Sequence, residues 1–419
     1  VEIRINEFKK IISSPIIIGL LVLFIVFNST IVFQNSYMKD ELKVLNKIVD
    51  RFGYKINDEM LAEFKEYYDE GLKRLNRITR EKASKNYNRV SEFYNDYPYG
   101  IEKLYRKEEV EFIRELGIVE AYYYMTREID DVYLEIDPMN IAENQINQYG
   151  LSGGAADTLR NEYKNFSKRF DQLISKNEHK NLFFMGKVYR MHSLLFKDLF
   201  RTIIFEVIIL VVLITAYLIN YEFDNNTETI TYTTRRGRNF ILDKFFVSIV
   251  STILATTIIL GISLGLYFIT FDYSGLGNVP ISSYFNNEYS FLYMSWWNMS
   301  FVQYLFASIG IIYTSMLLFT GITFIMTRYI KNTYIVFFVF AIIFGLFLLV
   351  SGMLPRNSNI VFIGSFTPFI LITNPFMWFM ESGAFTTFKY YELATVGIWS
   401  VLLLVLSILS IKRFKRQDI

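Results

Sequence analysis

Cysteine is absent from this 419-residue chain, which excludes disulfides, thiolate zinc sites and thiol chemistry. Histidine occurs only as His179 and His192, too few for a histidine metal cluster, and no metal site is expected. No H-E-x-x-H pair, Ser/His/Asp grouping or G-x-x-x-x-G-K-[ST] phosphate loop occurs. No catalytic residue is therefore expected, and any chemistry would come from a partner. Charge is scarce outside one region. Residues 38–198 hold 27 of the 43 basic and 29 of the 41 acidic side chains, leaving 16 and 12 for the rest.

What the charge-poor remainder contains is long apolar runs. Residues 16–33 are uncharged and reach about 27 Å as a helix, enough to span a bilayer. Further runs at 202–220, 245–271, 301–327, 334–354 and 393–411 bring the expected spans to six. The expected fold is an all-α membrane protein whose charged insert is a mainly helical extracytoplasmic domain. The divisions are an amphipathic interface helix (1–15), span 1 (16–36), the outer domain (37–199), span 2 (200–220) and a cytoplasmic loop (221–244). Spans 3–5 (245–354), an outer loop (355–391), span 6 (392–412) and a tail (413–419) follow.

Within residues 1–15, Ile5, Phe8 and Ile12 fall at helical spacing with Lys9 and Lys10 between them, as in a helix lying in the headgroup layer. In the insert, 58–78 and 158–174 show helical apolar periods and are expected to pack on each other as an antiparallel stalk. Residues 132–136 alternate like a short strand. Residues 179–193 are aromatic and expected near the outer membrane face. Glu206 interrupts the second span and should face protein or water.

Residues 359–380 are long enough to span but are broken by Pro368 and Pro375, each lacking a backbone donor. A seventh span would also put the basic C-terminal end outside. A re-entrant segment is expected instead. With six spans, 13 of the 16 basic residues beyond the insert fall on the cytoplasmic side, and both termini are cytoplasmic.

The loop at 221–244 reads YEFDNNTETITYTTRRGRNFILDK. Asn225 and Glu228 have capping-box spacing for a short surface helix, ended by Gly237. Glu228, Thr229, Thr233, Thr234, Arg235, Arg236, Gly237, Arg238 and Lys244 follow in an order that topology alone does not require. This loop, with the amphipathic first helix, six spans and a broken segment before the last, resembles the permease subunits of ABC transporters in the type-2 exporter family. The resemblance leaves out residues 38–198. It implies that the listed loop residues couple to a separate ABC ATPase, present in two copies and carrying ATP and Mg. It implies a second permease copy or paralogue, a cell-membrane location, no cofactor on this chain and no nucleic acid. It also implies that Phe366, Pro368, Asn374 and Pro375 of the re-entrant segment form a gate. The expected cargo is a peptide, antibiotic-like or other amphipathic compound. Sodium or drug efflux, or ligand sensing by the outer domain, are the alternatives. Leu151, Ser152, Gly153 and Gly154 match the start of the ABC ATPase signature, but without a phosphate loop they read as a turn before a helix near Ala155.

Overall fold

The computed structural model describes residues 2–97, 100–185, 192–233, 237–288, 291–383 and 385–415. Helix α1 (Glu2–Ile12) leads into α2 (Pro15–Gln34), whose Pro15 sits in the first turn, where no backbone donor is needed. Then come α3 (Lys39–Phe52), α4 (Asp58–Ala83), α5 (Val90–Asp96), α6 (Lys107–Leu134), α7 (Pro138–Tyr149) and α8 (Gly153–Ser175). A π-helical stretch (Ser193–Leu199) runs directly into α9 (Phe200–Asp224). The short α10 (Glu228–Tyr232) precedes α11 (Phe240–Thr270), α12 (Phe301–Tyr329) and α13 (Thr333–Met353). The fragments α14 (Ile360–Ile363) and α15 (Pro368–Leu371) come before α16 (Tyr391–Lys415). A two-residue antiparallel pair, Asn287–Glu288 with Phe291–Leu292, is the sole sheet among the described residues.

Six of these helices are long and apolar enough to cross a membrane: α2, α9 with its π-helical lead, α11, α12, α13 and α16. They agree with the six runs expected from sequence and are consistent with a multi-pass membrane protein. α9 is central, with 72% of its most apolar window buried against 17% for α13 and α16. Lipid supplies no hydrophobic drive between spans, so close contact needs small or polar faces. α11 provides one: Ser248, Ser251, Thr252, Ala255, Thr256 and Ser263 are buried. Thr252 shares a 2.8 Å hydroxyl hydrogen bond with Thr320 of α12.

The charged region corrects two expectations. α4 packs on α6, not on α8, and α8 packs on α7, so no α4–α8 stalk forms. The partner choice follows the rings: Tyr68 stacks on Tyr123 at 4.9 Å, and Phe64 meets Tyr123 edge-on at 6.0 Å. The alternating stretch 132–136 is the end of α6, not a strand. Tyr133 is buried there against Phe170 (6.1 Å) and His179 (4.4 Å). α8 begins at Gly153, two residues before the expected start, with Ser152 at its N-cap.

A buried carboxylate organises the short α5. Glu120 of α6 accepts the backbone N–H of Val90 (2.6 Å) and of Ser91 (2.9 Å), and the hydroxyl of Tyr68. It satisfies N–H groups that a helix start leaves without intrahelical partners. Glu120→Ala is expected to destabilise this region by roughly 2–4 kcal/mol, because three donors lose their acceptor. Faster hydrogen exchange across 90–96 with unchanged exchange in α9 checks this; parental exchange in α5 refutes it.

These helices join the bundle rather than hanging from it. His179 O accepts from Tyr284 N (3.1 Å), Phe166 meets Trp296 at 5.0 Å, and Tyr163 donates its hydroxyl to Glu381 O (3.0 Å). Arg356 donates to Tyr149 O (2.7 Å), and Thr158 donates to Asn359 (2.9 Å). The connections α11–α12 and α13–α16 thus share one core with α3–α8. Leu182, Phe183 and Phe184 of the aromatic 179–193 stretch are buried in that core.

Candidate functional site

At the opposite end of the bundle, α9 runs to Asp224 and α11 starts at Phe240, so the 221–244 loop is shorter than expected. The capping box does not form. Asn225 instead closes α9, donating its side-chain amide to Tyr221 O (2.7 Å), and α10 starts after Thr227. α10 turns two sides to different surroundings. Ile230 is 72% exposed, and Thr229 and Thr233 are also exposed. Tyr232 is buried with Ile219, Ile241, Phe324 and Phe414, which belong to α9, α11, α12 and α16. Its ring meets Phe414 edge-on at 5.3 Å. One residue of a five-residue helix therefore joins a buried cluster to which four membrane-length helices contribute. Gly237 has φ +40°, and a Cβ there would lie 2.9 Å from Tyr232 O, so glycine suits this close return of the chain.

A buried ion cluster adjoins this contact. Lys244, fully buried in α11, donates to Glu222 of α9 and to Leu218 O, and lies 3.3 Å from Glu7 of α1. Lys10 of α1 bridges Glu7 (2.5 Å) and Glu222 (3.2 Å), and its ammonium sits 3.9 Å from the Tyr221 ring centre. Burial pulls the Lys10 ammonium down, but hydrogen bonding and attraction from Glu7 and Glu222 outweigh it and raise it above the ordinary lysine value. Arg4 adds a 2.8 Å bond to Asp243 and a cation–π contact with Phe246 at 4.4 Å. Two carboxylates and two ammoniums thus bind α1 to the ends of α9 and α11.

This arrangement refines the interface-helix expectation. Ile5 (49% exposed) and Ile12 (53%) face away from the protein, with Phe8 half-buried beside them, and Lys9 is exposed on a polar side. Glu7 and Ile11 are the buried residues, and Lys10 turns inward. α1 therefore has three faces: apolar, polar, and an ionic one against the protein. Sequence reasoning singled out Arg4 and Lys10 on α1 and Lys244 in the loop, but missed Glu7, Glu222 and Asp243. Glu7, three residues before Lys10 on one helix face, was a local signal; Glu222 was not, being 212 positions from Lys10.

The other expected site residues lie elsewhere or outside the description. Thr234, Arg235 and Arg236 fall outside the described residues, as does the Arg238 side chain. Glu228 is half-buried at the start of α10. Glu206 is buried in α9 and accepts from Asn28 of α2 at 2.7 Å, a partner that sequence spacing could not reveal. The 359–380 segment is three short helical pieces, and α16 helps to satisfy their backbone. Tyr391 donates to Ser365 O (2.8 Å), Trp399 donates to Phe366 O (2.9 Å), and Glu392 accepts from Phe379 N (2.7 Å). Pro368 sits in the first turn of α15 behind the Thr367 cap, and Pro375 opens a 3₁₀ turn. Asn374 is exposed, whereas Phe366 packs against Phe388 and Tyr391. Comparison of the chain with family models, with curated proteins and with solved structures returns no match.

Proposed function

We propose that this chain is the membrane permease subunit of an ATP-driven exporter, resembling the type-2 ABC exporters and served by a separate ATPase. The observation that carries this reading is α10, with its exposed Ile230 and its Tyr232 seated on the ends of four membrane-length helices. A partner pressing on Glu228, Thr229 and Ile230 displaces Tyr232, and with it α9, α11, α12 and α16. The Lys244–Glu222–Glu7–Lys10 cluster carries the same displacement to α1. ATP and Mg stay on the partner; this chain supplies only the docking surface and the moving helices.

Basic-residue asymmetry supports placing α1, α10 and the end of α16 in the cytoplasm and residues 37–199 outside. Two copies, or this chain with a paralogue, would enclose the path. The α14–α15 segment would act as a re-entrant outer gate, its backbone held by Tyr391 and Trp399. The cargo class that fits the aromatic spans is a peptide, antibiotic-like or other amphipathic compound.

Co-expression with an ATPase and purification through a tag on this chain tests the reading. A stable complex with substrate-stimulated ATP hydrolysis is expected. Ile230→Asp is expected to weaken association at least about tenfold, since a charge replaces a contact side chain. Glu228→Ala and Arg238→Ala should lower stimulated hydrolysis without loss of membrane insertion. Transport that continues without ATP and collapses with an ion gradient would overturn the proposal.

A further inference from the structure

A cavity of about 770 Å³ opens where α8, the α11–α12 connection and the start of α16 meet. One wall is a stripe of α8 carrying Glu162, Asn165, Lys168, Arg169 and Gln172 at helical spacing, with Lys176 at its C-cap. Trp297, Lys389 and Tyr390 come from the other elements. Arg169 is already neutralised by Glu178, with bonds of 3.0 and 2.5 Å. Lys168, Lys176 and Lys389 form no ion pair among the described residues, and Glu162 is the only carboxylate in the lining. Lys389 instead lies 4.8 Å from the Trp297 ring centre and 5.5 Å from that of Tyr390. The Trp297 indole Nε1 is buried and lacks a partner among the described residues. The lining is cationic.

The cavity also stands at the edge of the apolar zone. The membrane-length helix α16 begins at Tyr391, and Ala394 in its first turn lines the cavity. From Ala394 one helical face continues through Ile398, Val401 and Val405, which are 58%, 67% and 48% exposed. A polar pocket at the end of an exposed apolar track matches an amphiphile with an anionic head. Lysines attract such heads, and Trp and Tyr settle at headgroup depth.

We propose that this cavity binds the phosphate headgroup of an anionic membrane lipid, with the acyl chains along the Ala394–Val405 face of α16. Lys168, Lys176 and Lys389 neutralise the phosphate. The site does not depend on the exporter reading, because it requires only that α16 lie in a bilayer.

Native mass spectrometry of the full chain in detergent, titrated with phosphatidylglycerol, phosphatidylcholine or glycerol phosphate, tests it. Phosphatidylglycerol is expected to bind at least about tenfold more tightly than either of the others. The triple variant Lys168→Gln/Lys176→Gln/Lys389→Gln is expected to lose that preference. Equal binding of the two lipids, parental affinity in the triple variant, or glycerol phosphate binding as tightly as the lipid would each overturn the proposal.

Discussion

Lys244→Met is expected to destabilise the protein by about 3–5 kcal/mol, the usual effect of removing one partner from a buried ion pair. Lys244 is fully buried, and its ammonium faces the carboxylates of Glu222 and Glu7, each only 3% exposed. Without it, Lys10 alone faces both carboxylates, at 2.5 and 3.2 Å. One carboxylate must then stay uncompensated, take up a proton or drag its helix toward water. The expected readout is a lower Tm in detergent and a loss of monodisperse protein on gel filtration. Lys244→Met/Glu222→Gln should recover much of the loss, because Glu7 then pairs with Lys10 alone. The recovery is a coupling energy, expected at about 0.5–3 kcal/mol for groups in one network. Parental stability in Lys244→Met, or no recovery in the double variant, would sink the assignment.

The membrane-length helices were legible because each is a long run almost free of charge, a signal that needs no knowledge of neighbours. Their ends were less so. Asp243 and Lys244 look like a charged loop end, yet they form the first turns of α11, where an acid favours the helix dipole. Periodicity in α4 and α8 showed that each has an apolar face, but not which helix meets it. For α4 that choice rests on ring-to-ring fits such as Tyr68 with Tyr123 of α6. The alternation at 132–136 lost to tertiary packing, since a helix lets Tyr133 reach both Phe170 and His179. In α1 the apolar spacing of Ile5, Phe8 and Ile12 located a face, but that face points outward. The face against the protein carries Glu7 and Lys10, and its reason to be there is Glu222, brought near only by the fold. The loop at 221–244 stood out in the sequence by its glutamate, arginines and glycine. The burial of Tyr232 did not, because one tyrosine among threonines carries no local sign of the Ile219, Ile241, Phe324 and Phe414 cluster it joins.

The helical region that sits on the bundle is expected to depend as strongly on Arg169. Its guanidinium donates two bonds to Glu178, and the pair is almost wholly buried, with side chains 9% and 3% exposed. Such a fork fixes geometry as well as charge. Glu178 heads a turn whose backbone links three parts of the molecule. Lys180 O accepts from Ile56 N (3.1 Å), and Leu182 N donates to Tyr54 O (2.7 Å), both toward the α3–α4 connection. His179 O accepts from Tyr284 N (3.1 Å) and Asn181 O accepts from the Ser283 hydroxyl (2.7 Å), both from the α11–α12 connection. Arg169→Met leaves Glu178 buried and unpaired, at a cost of about 3–5 kcal/mol. The turn should then open, with faster hydrogen exchange at 178–184 and 281–285 but not in the buried centre of α9. Arg169→Met/Glu178→Met removes both charges and should restore most of the protection, because apolar side chains replace a buried ion pair at little or no cost. Parental exchange in the single variant would show that the pair does not hold the turn. A double variant worse than the single would show that the fork's geometry, not the balance of its charges, fixes these helices to the bundle.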